Sequence, residues 1–469
     1  VEHIGYQRYH IETNSAPDIV KCPNRFRVRV KKHRLILFLI EEILRYPTKK
    51  KVIFSRPCIY EVYGRPVGGL APREHMCVGC LRCTTEHPDW VQIYPNPKFK
   101  QMGDSYFSAE YVDAINYEAR TGVVPVKGAG YRGKFGGAGW NSMWTDMSEI
   151  VRPTRDGIHG REFISTVVDI GSRPGFLTFD GQGLPAGETP QIISAPLPIL
   201  FDAPPVAVRS HKLSMILAET ARKIETLVVM PVADIIESGL EGNHIIPLVT
   251  QEQLGMLRSL SFKPRMVEMV GGDGTHYSQI KSLFPSSMVC LRLPFSNQTG
   301  EDILRYVESG IRVFHLSADY HGRGASGEFI LELTRQVHQT LVDAGCRDQV
   351  TLLGSGGIVA AEHVPKAIIC GLDAVALDTA LLAALQAEFA GECVDRETSR
   401  FKLSNKLGVD WGVQRLENML ASWRDQMLEV MGAMGLREVR RLRGEVGRAM
   451  FQQDLEKEAF QGISGYGEK

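Results

Sequence analysis

Between about residues 190 and 390, short apolar runs recur at regular spacing: IISAP from 192, TLVVMPV from 226, HIIPLV from 244, MVEMV from 266, MVCLRLP from 288, VFHLS from 313, VTLLG from 350 and AVALD from 374. Between them lie segments with apolar residues at helical spacing, among them HKLSMILAETARKI, QEQLGMLRSL, EDILRYVESG and EHVPKAIICG. A run that is apolar throughout suits a strand buried on both faces, as in a parallel sheet. Eight such runs alternating with helices predict an α/β fold, a (β/α)8 TIM barrel, with a doubly wound open sheet as the alternative.

The flanks read differently. RFRVRVKKHR (Arg25 to Arg34) alternates like a strand with one solvated face, and LILFLIEEILRYP continues as a helix that Pro47 ends. From 101 to about 160 the chain is rich in glycine and aromatic residues, as in KGAGYRGKFGGAGWNSMW, and predicts an irregular connector. After about 396 the pattern turns helical and polar, with a break at Gly435, and predicts a tail that packs on the barrel or on a partner. The expected division is an N-terminal region over 1–70, a cysteine motif with its connector over 71–160, the barrel over 161–395 and a helical extension over 396–469.

At 469 residues the chain is too long for one ordinary core. With 43% hydrophobic residues, 23% charged residues and zero formal net charge, it has the balance of a soluble globular protein and not that of a general nucleic-acid binder. LILFLI is far shorter than the roughly 18 residues of a membrane helix. The first residues show no signal-peptide pattern, which leads to an expectation of a cytoplasmic protein without a transmembrane segment.

Nine cysteines, three of them within seven residues, point to metal binding in a reducing compartment. CVGCLRC places Cys77, Cys80 and Cys83 in the C-x2-C-x2-C spacing of a ferredoxin loop. Three thiolates suffice for a 3Fe-4S cluster, whereas a 4Fe-4S cluster needs a fourth ligand. His87 stands before Pro88 in the right place, and Cys22 and Cys58 are the other candidates. Zinc held by the three cysteines and His87 is the competing reading.

Active sites of (β/α)8 barrels lie at the C-terminal ends of the strands. There the seventh run ends in GSGG (Gly354 to Gly357) and the eighth in ALDTALL (Ala376 to Leu382), a pairing of glycines with a helix start that suits a phosphate. Asp319 and His321 follow the sixth run, where an acid or base could act, although loop hydrogen bonding is the plainer role for both. Glu268, inside the fourth run, reads as a paired buried carboxylate, and His338 as structural.

The stretch HQTLVDAGCRDQVTLLGSGGIVAAEHVPKAIICGLDAVALDTALLAAL (His338 to Leu385) resembles the FMN-binding synthase domain of glutamate synthase and its smaller relatives. SADYHGRGAS (Ser317 to Ser326) is similar to that family's SGHDGGTGAS, and PTRDGIHGREFISTVVDIG (Pro153 to Gly171) to the segment leading into its barrel. The resemblance implies a flavin and iron–sulfur oxidoreductase that passes a hydride from reduced FMN to an imine or related substrate, with the cluster supplying electrons. It implies that Gly356, Gly357 and Thr379 hold the flavin phosphate, with Ser355 and Asp378 beside them. Arg292 stands where the family has a lysine, so Arg292, Asp319 and His321 are the candidate catalytic residues.

The family's D-G-G is Ser355-Gly356-Gly357 here, and its G-T is Asp378-Thr379. A carboxylate beside a phosphate dianion is repulsive unless it points away. The sequence shows no amidotransferase region, so the expected partners are other redox or amidotransferase subunits of an oligomeric complex. The alternative function is a degenerate, non-catalytic barrel that serves as scaffold or electron relay.

Overall fold

The computed structural model describes residues 9–54, 58–63, 71–125, 136–145, 163–172, 178–186, 191–272 and 274–465. Residues 126–135 and 146–160 of the glycine-rich connector and residues 153–162 of the segment leading into the barrel lie outside the described residues. The chain divides into two compact units. One is built on Val20–Asp113, and the other comprises the chain before residue 20, residues 114–125 and the described residues from 136 onward.

The larger unit is a closed barrel of eight parallel strands in sequence order. They are Ile199–Phe201, Val228–Pro231, Ile245–Val249, Met266–Val270, Met288–Pro294, Val313–Ser317, Thr351–Ser355 and Ala374–Leu377, and the first pairs with both the eighth and the second. Strands such as Ile245–Val249 and Ala374–Leu377 are buried at every position, which is why their sequence is apolar without alternation. Helices return the chain between strands. His211–Lys223 starts at Ser210, whose hydroxyl accepts the Leu213 N–H at 3.3 Å.

One expected barrel strand is elsewhere. Ile192–Ala195 lies outside the barrel and pairs antiparallel with Val168–Gly171, and the first barrel strand is the next apolar run, Ile199–Phe201. The two differ in burial: Ile192–Ala195 alternates between exposed and buried positions, whereas Ile199–Phe201 is wholly buried. Thr351, at the start of strand seven, ties this outer pair to the barrel: its hydroxyl donates to the Gly171 carbonyl at 2.8 Å and accepts the Gly171 N–H at 3.1 Å.

The C-terminal helix Val409–Ala433 packs on His211–Lys223, close enough that a Cβ at Gly412 would stand 2.6 Å from the Ile216 side chain. Its buried Arg415 donates to the Ala384 and Ala16 carbonyls and to Asp18 and Asn116, which ties residues before 20 and the helical residues from 114 onward into this unit. The helix stops two residues before Gly435, which takes a φ of +71°.

In the smaller unit the strand Phe26–Val30 pairs antiparallel with Val91–Pro95, and the helix Lys32–Arg45 ends two residues before Pro47, as the pattern predicts. Among the described residues no helix is long and apolar enough to cross a membrane.

Candidate functional site

The smaller unit gathers its cysteines in its own core. Cys77 and Cys83 are buried with Val28, Leu35, Val62, Tyr63, Trp90 and Val91, and half-buried Cys58 packs against the same cluster. Gly79, at φ +74°, turns the chain between Cys77 and Cys80, and its N–H faces the Cys77 sulfur. The Tyr63 hydroxyl donates to Cys83 Sγ at 3.5 Å. Burial pushes the Cys77 and Cys83 thiols up, and the neighbouring Cys58 and Cys80 push them further. Four thiols therefore face one another, and the fourth is Cys58. His87 is placed elsewhere: its ring packs against Phe38 at 5.1 Å and Trp90 at 4.8 Å between centroids. Cys22 Sγ points to the Val20 carbonyl at 3.9 Å.

With Zn–S bonds near 2.3 Å, the sulfurs around a tetrahedral zinc stand about 3.8 Å apart. Among the described residues, no three cysteine sulfurs lie within 4.8 Å of one another. The donor set is all thiol, a set used both by four-iron clusters and by structural zinc sites of four cysteines.

At the C-terminal mouth of the barrel is a cavity of about 450 Å³. Arg292 of strand five reaches it from below, already matched by carboxylates: Nε donates to Glu268 at 2.5 Å, while Nη1 and Nη2 donate to Asp202 at 3.2 and 2.5 Å. Arg396 adds a third donor to Asp202 at 2.7 Å. Burial is the largest single influence on the Asp202 and Glu268 carboxyls and raises both, but Arg292, together with Arg396 and His315 at Asp202 and with His315 at Glu268, outweighs it. Both carboxyls are thereby held below their usual range. Glu268 is indeed a paired buried carboxylate, sharing Oε1 between Arg292 and His315.

Asp319 lines the cavity, but its Oδ1 accepts the Arg323 N–H at 2.8 Å and so shapes its own loop. His321 Nε2 stands 3.9 Å from a Glu392 oxygen. Asp202, Tyr320 and Arg396 also line the cavity, and no motif in the sequence singles them out. Asp202 directly follows Ile199–Phe201, and taking IISAP as the first barrel strand moves it away from the barrel mouth.

The proposed phosphate seat is closed by the chain itself. Asp378 caps the short helix Thr379–Ala384, and its Oδ1 accepts both the Thr379 N–H at 2.5 Å and the Thr379 hydroxyl at 2.8 Å. Gly356, at φ +94°, presses on the loop after strand six, where a Cβ would stand 2.3 Å from the Asp319 carbonyl. The Gly357 carbonyl accepts from the buried Trp140 indole at 2.9 Å. Ser355 lines the cavity, and its carbonyl accepts the Ala318 N–H at 2.9 Å. The cavity lining holds five carboxylates and three guanidinium groups, and Arg292 and Arg396 are both paired with Asp202. The FMN phosphate that the resemblance implies does not fit this donor set: the capping position already holds a carboxylate, and that carboxylate would face a dianion.

Residues 322–437 match the family described as the conserved region in glutamate synthase. The archaeal-type glutamate synthase (NADPH) of Dehalococcoides mccartyi is 23% identical over 471 residues, 87% of this chain and 93% of that relative. The archaeal glutamate synthase (NADPH) of Methanocaldococcus jannaschii is 33% identical over 118 residues, 24% of this chain and 23% of that relative. Among solved structures, mandelate oxidase with benzoyl-formic acid aligns over 64% of this chain and 97% of its own, at 15% identity and a TM-score of 0.38.

Proposed function

For a chain that carries the conserved region of glutamate synthase, we propose the role of a redox subunit in a glutamate synthase-like oxidoreductase. In this reading the N-terminal unit holds an iron–sulfur cluster on Cys58, Cys77, Cys80 and Cys83. The observation that carries it is the gathering of four thiols, with buried Cys77 and Cys83 and half-buried Cys58 in one apolar core and exposed Cys80 beside them. When bound, the cluster supplies one-electron transfer. The chain's own residues do the rest. The cysteines fix the group, the Tyr63 hydroxyl and the Gly79 N–H place hydrogen bonds on its thiolates, and the surrounding apolar side chains keep water away.

The relationship to glutamate synthases supports flavin-dependent redox chemistry, with other redox or amidotransferase subunits as partners. Asp378 speaks against a flavin anchored by its phosphate in the family's manner. That observation favours a second reading in which the barrel is a non-catalytic scaffold for the relay. Low-temperature EPR of anaerobically purified, dithionite-reduced protein tests the main reading. A signal from a reduced cluster is expected, and an EPR-silent protein that contains zinc contradicts it.

A further inference from the structure

The mouth cavity contains buried polar atoms that have no partner. Arg396 Nε is buried without a hydrogen bond, and the buried Tyr320 Oη has no well-formed hydrogen bond, only the approach of the Arg396 side chain. Both bonds to Asp378 fall on Oδ1, and no donor among the described residues reaches its Oδ2. Tyr320 and Asp378 are each more than nine-tenths buried, and all three residues line the same cavity. Leaving such groups unmatched in a low-dielectric site is costly, so the site suits a ligand that supplies their counterparts.

The chemistry of those counterparts can be read off. A carboxylate accepts, a guanidinium Nε–H donates and a phenol does either. A hydroxyl group can donate to Asp378 and accept from Arg396 or Tyr320 at once. A phosphate dianion offers only acceptors and negative charge, and it meets Asp378 with neither of the site's guanidinium groups on Asp202 released to offset it. Across the cavity, Pro231, Leu248, Val249 and Val270 offer an apolar wall for a ring or alkyl portion.

We propose that the barrel mouth binds a ligand that carries hydroxyl groups and no phosphate, with Asp378 accepting from a ligand hydroxyl. The proposal rests on the reading of the barrel as a ligand-binding redox domain. Riboflavin and FMN make a matched pair of probes because they differ only in the phosphate. Equilibrium dialysis of the full chain against each, at pH 8, should give riboflavin an affinity at least about tenfold higher than FMN. Asp378→Asn, confirmed as folded by circular dichroism, should narrow that gap by improving FMN binding. Tyr320→Phe should weaken riboflavin.

FMN binding as tightly as riboflavin to the wild type, or retention of neither probe, overturns the proposal. So does an unchanged gap in Asp378→Asn. Iron content measured on the same samples separates these outcomes from failure of the cluster assignment, which does not depend on the barrel mouth.

Discussion

Burial, reinforced by the nearby Asp202 carboxylate, pushes the Asp378 carboxyl up to about 6 from 3.8, against the opposing pull of Thr379 and Arg396. A carboxyl with a raised folded-state pKa binds its proton more tightly when folded. Its contribution to stability is therefore complete below about pH 3.8 and is lost as pH rises through about 6, a change of about 3 kcal/mol. Asp378→Asn keeps the oxygen that caps Thr379 and removes the charge. It should melt higher than wild type at pH 8, with the difference shrinking toward pH 5, and a pH-independent difference contradicts the assignment. Asp202 behaves in the opposite way, because removing it strands two guanidinium groups. Asp202→Ala should cost about 3–5 kcal/mol in denaturant unfolding at pH 7, and a loss below about 1 kcal/mol would mean that the Arg292 network is not formed. Tyr63→Phe removes a hydrogen bond to Cys83 and should move the cluster's reduction potential to a more negative value in a redox titration. An unchanged potential argues that the hydroxyl does not reach the thiolate.

Seven of the eight barrel strands stand where the apolar runs put them, because strands buried on both faces leave a continuous signature. IISAP misled because its residues are as apolar as a barrel strand's although half of them are exposed, and sequence alone does not show which face a short strand presents. The long C-terminal helix was legible from its 3.6-residue period. Its close approach to His211–Lys223 was not, since it depends on a missing side chain at Gly412. Replacing a helical glycine normally gains up to about 1 kcal/mol. Here Gly412→Val drives its branches into Ile216 and should instead destabilise by about 1–3 kcal/mol. A thermal melt of that variant at or above the wild-type temperature would show that the two helices separate freely.

For the whole molecule, the fold class and the cysteine triplet were readable because each is a local pattern. The fourth thiol was legible only as one of three candidates, His87, Cys22 and Cys58, because Cys58 lies in a separate segment and meets the triplet through the packing of Val62, Tyr63 and Trp90. Asp378 was visible as a departure from the family's glycine, but only its geometry shows that it caps Thr379 and closes the phosphate seat. The two units thus carry separate claims, a cluster on four cysteines and a barrel mouth without a phosphate seat. The first is central, and the most direct measurement is iron and acid-labile sulfide per chain in anaerobically purified wild type, Cys58→Ala and His87→Ala. The cysteine assignment predicts about four of each in the wild type, the same in His87→Ala and a loss of at least one iron in Cys58→Ala. Zinc in the wild type, or loss of iron from His87→Ala with Cys58→Ala intact, would contradict it.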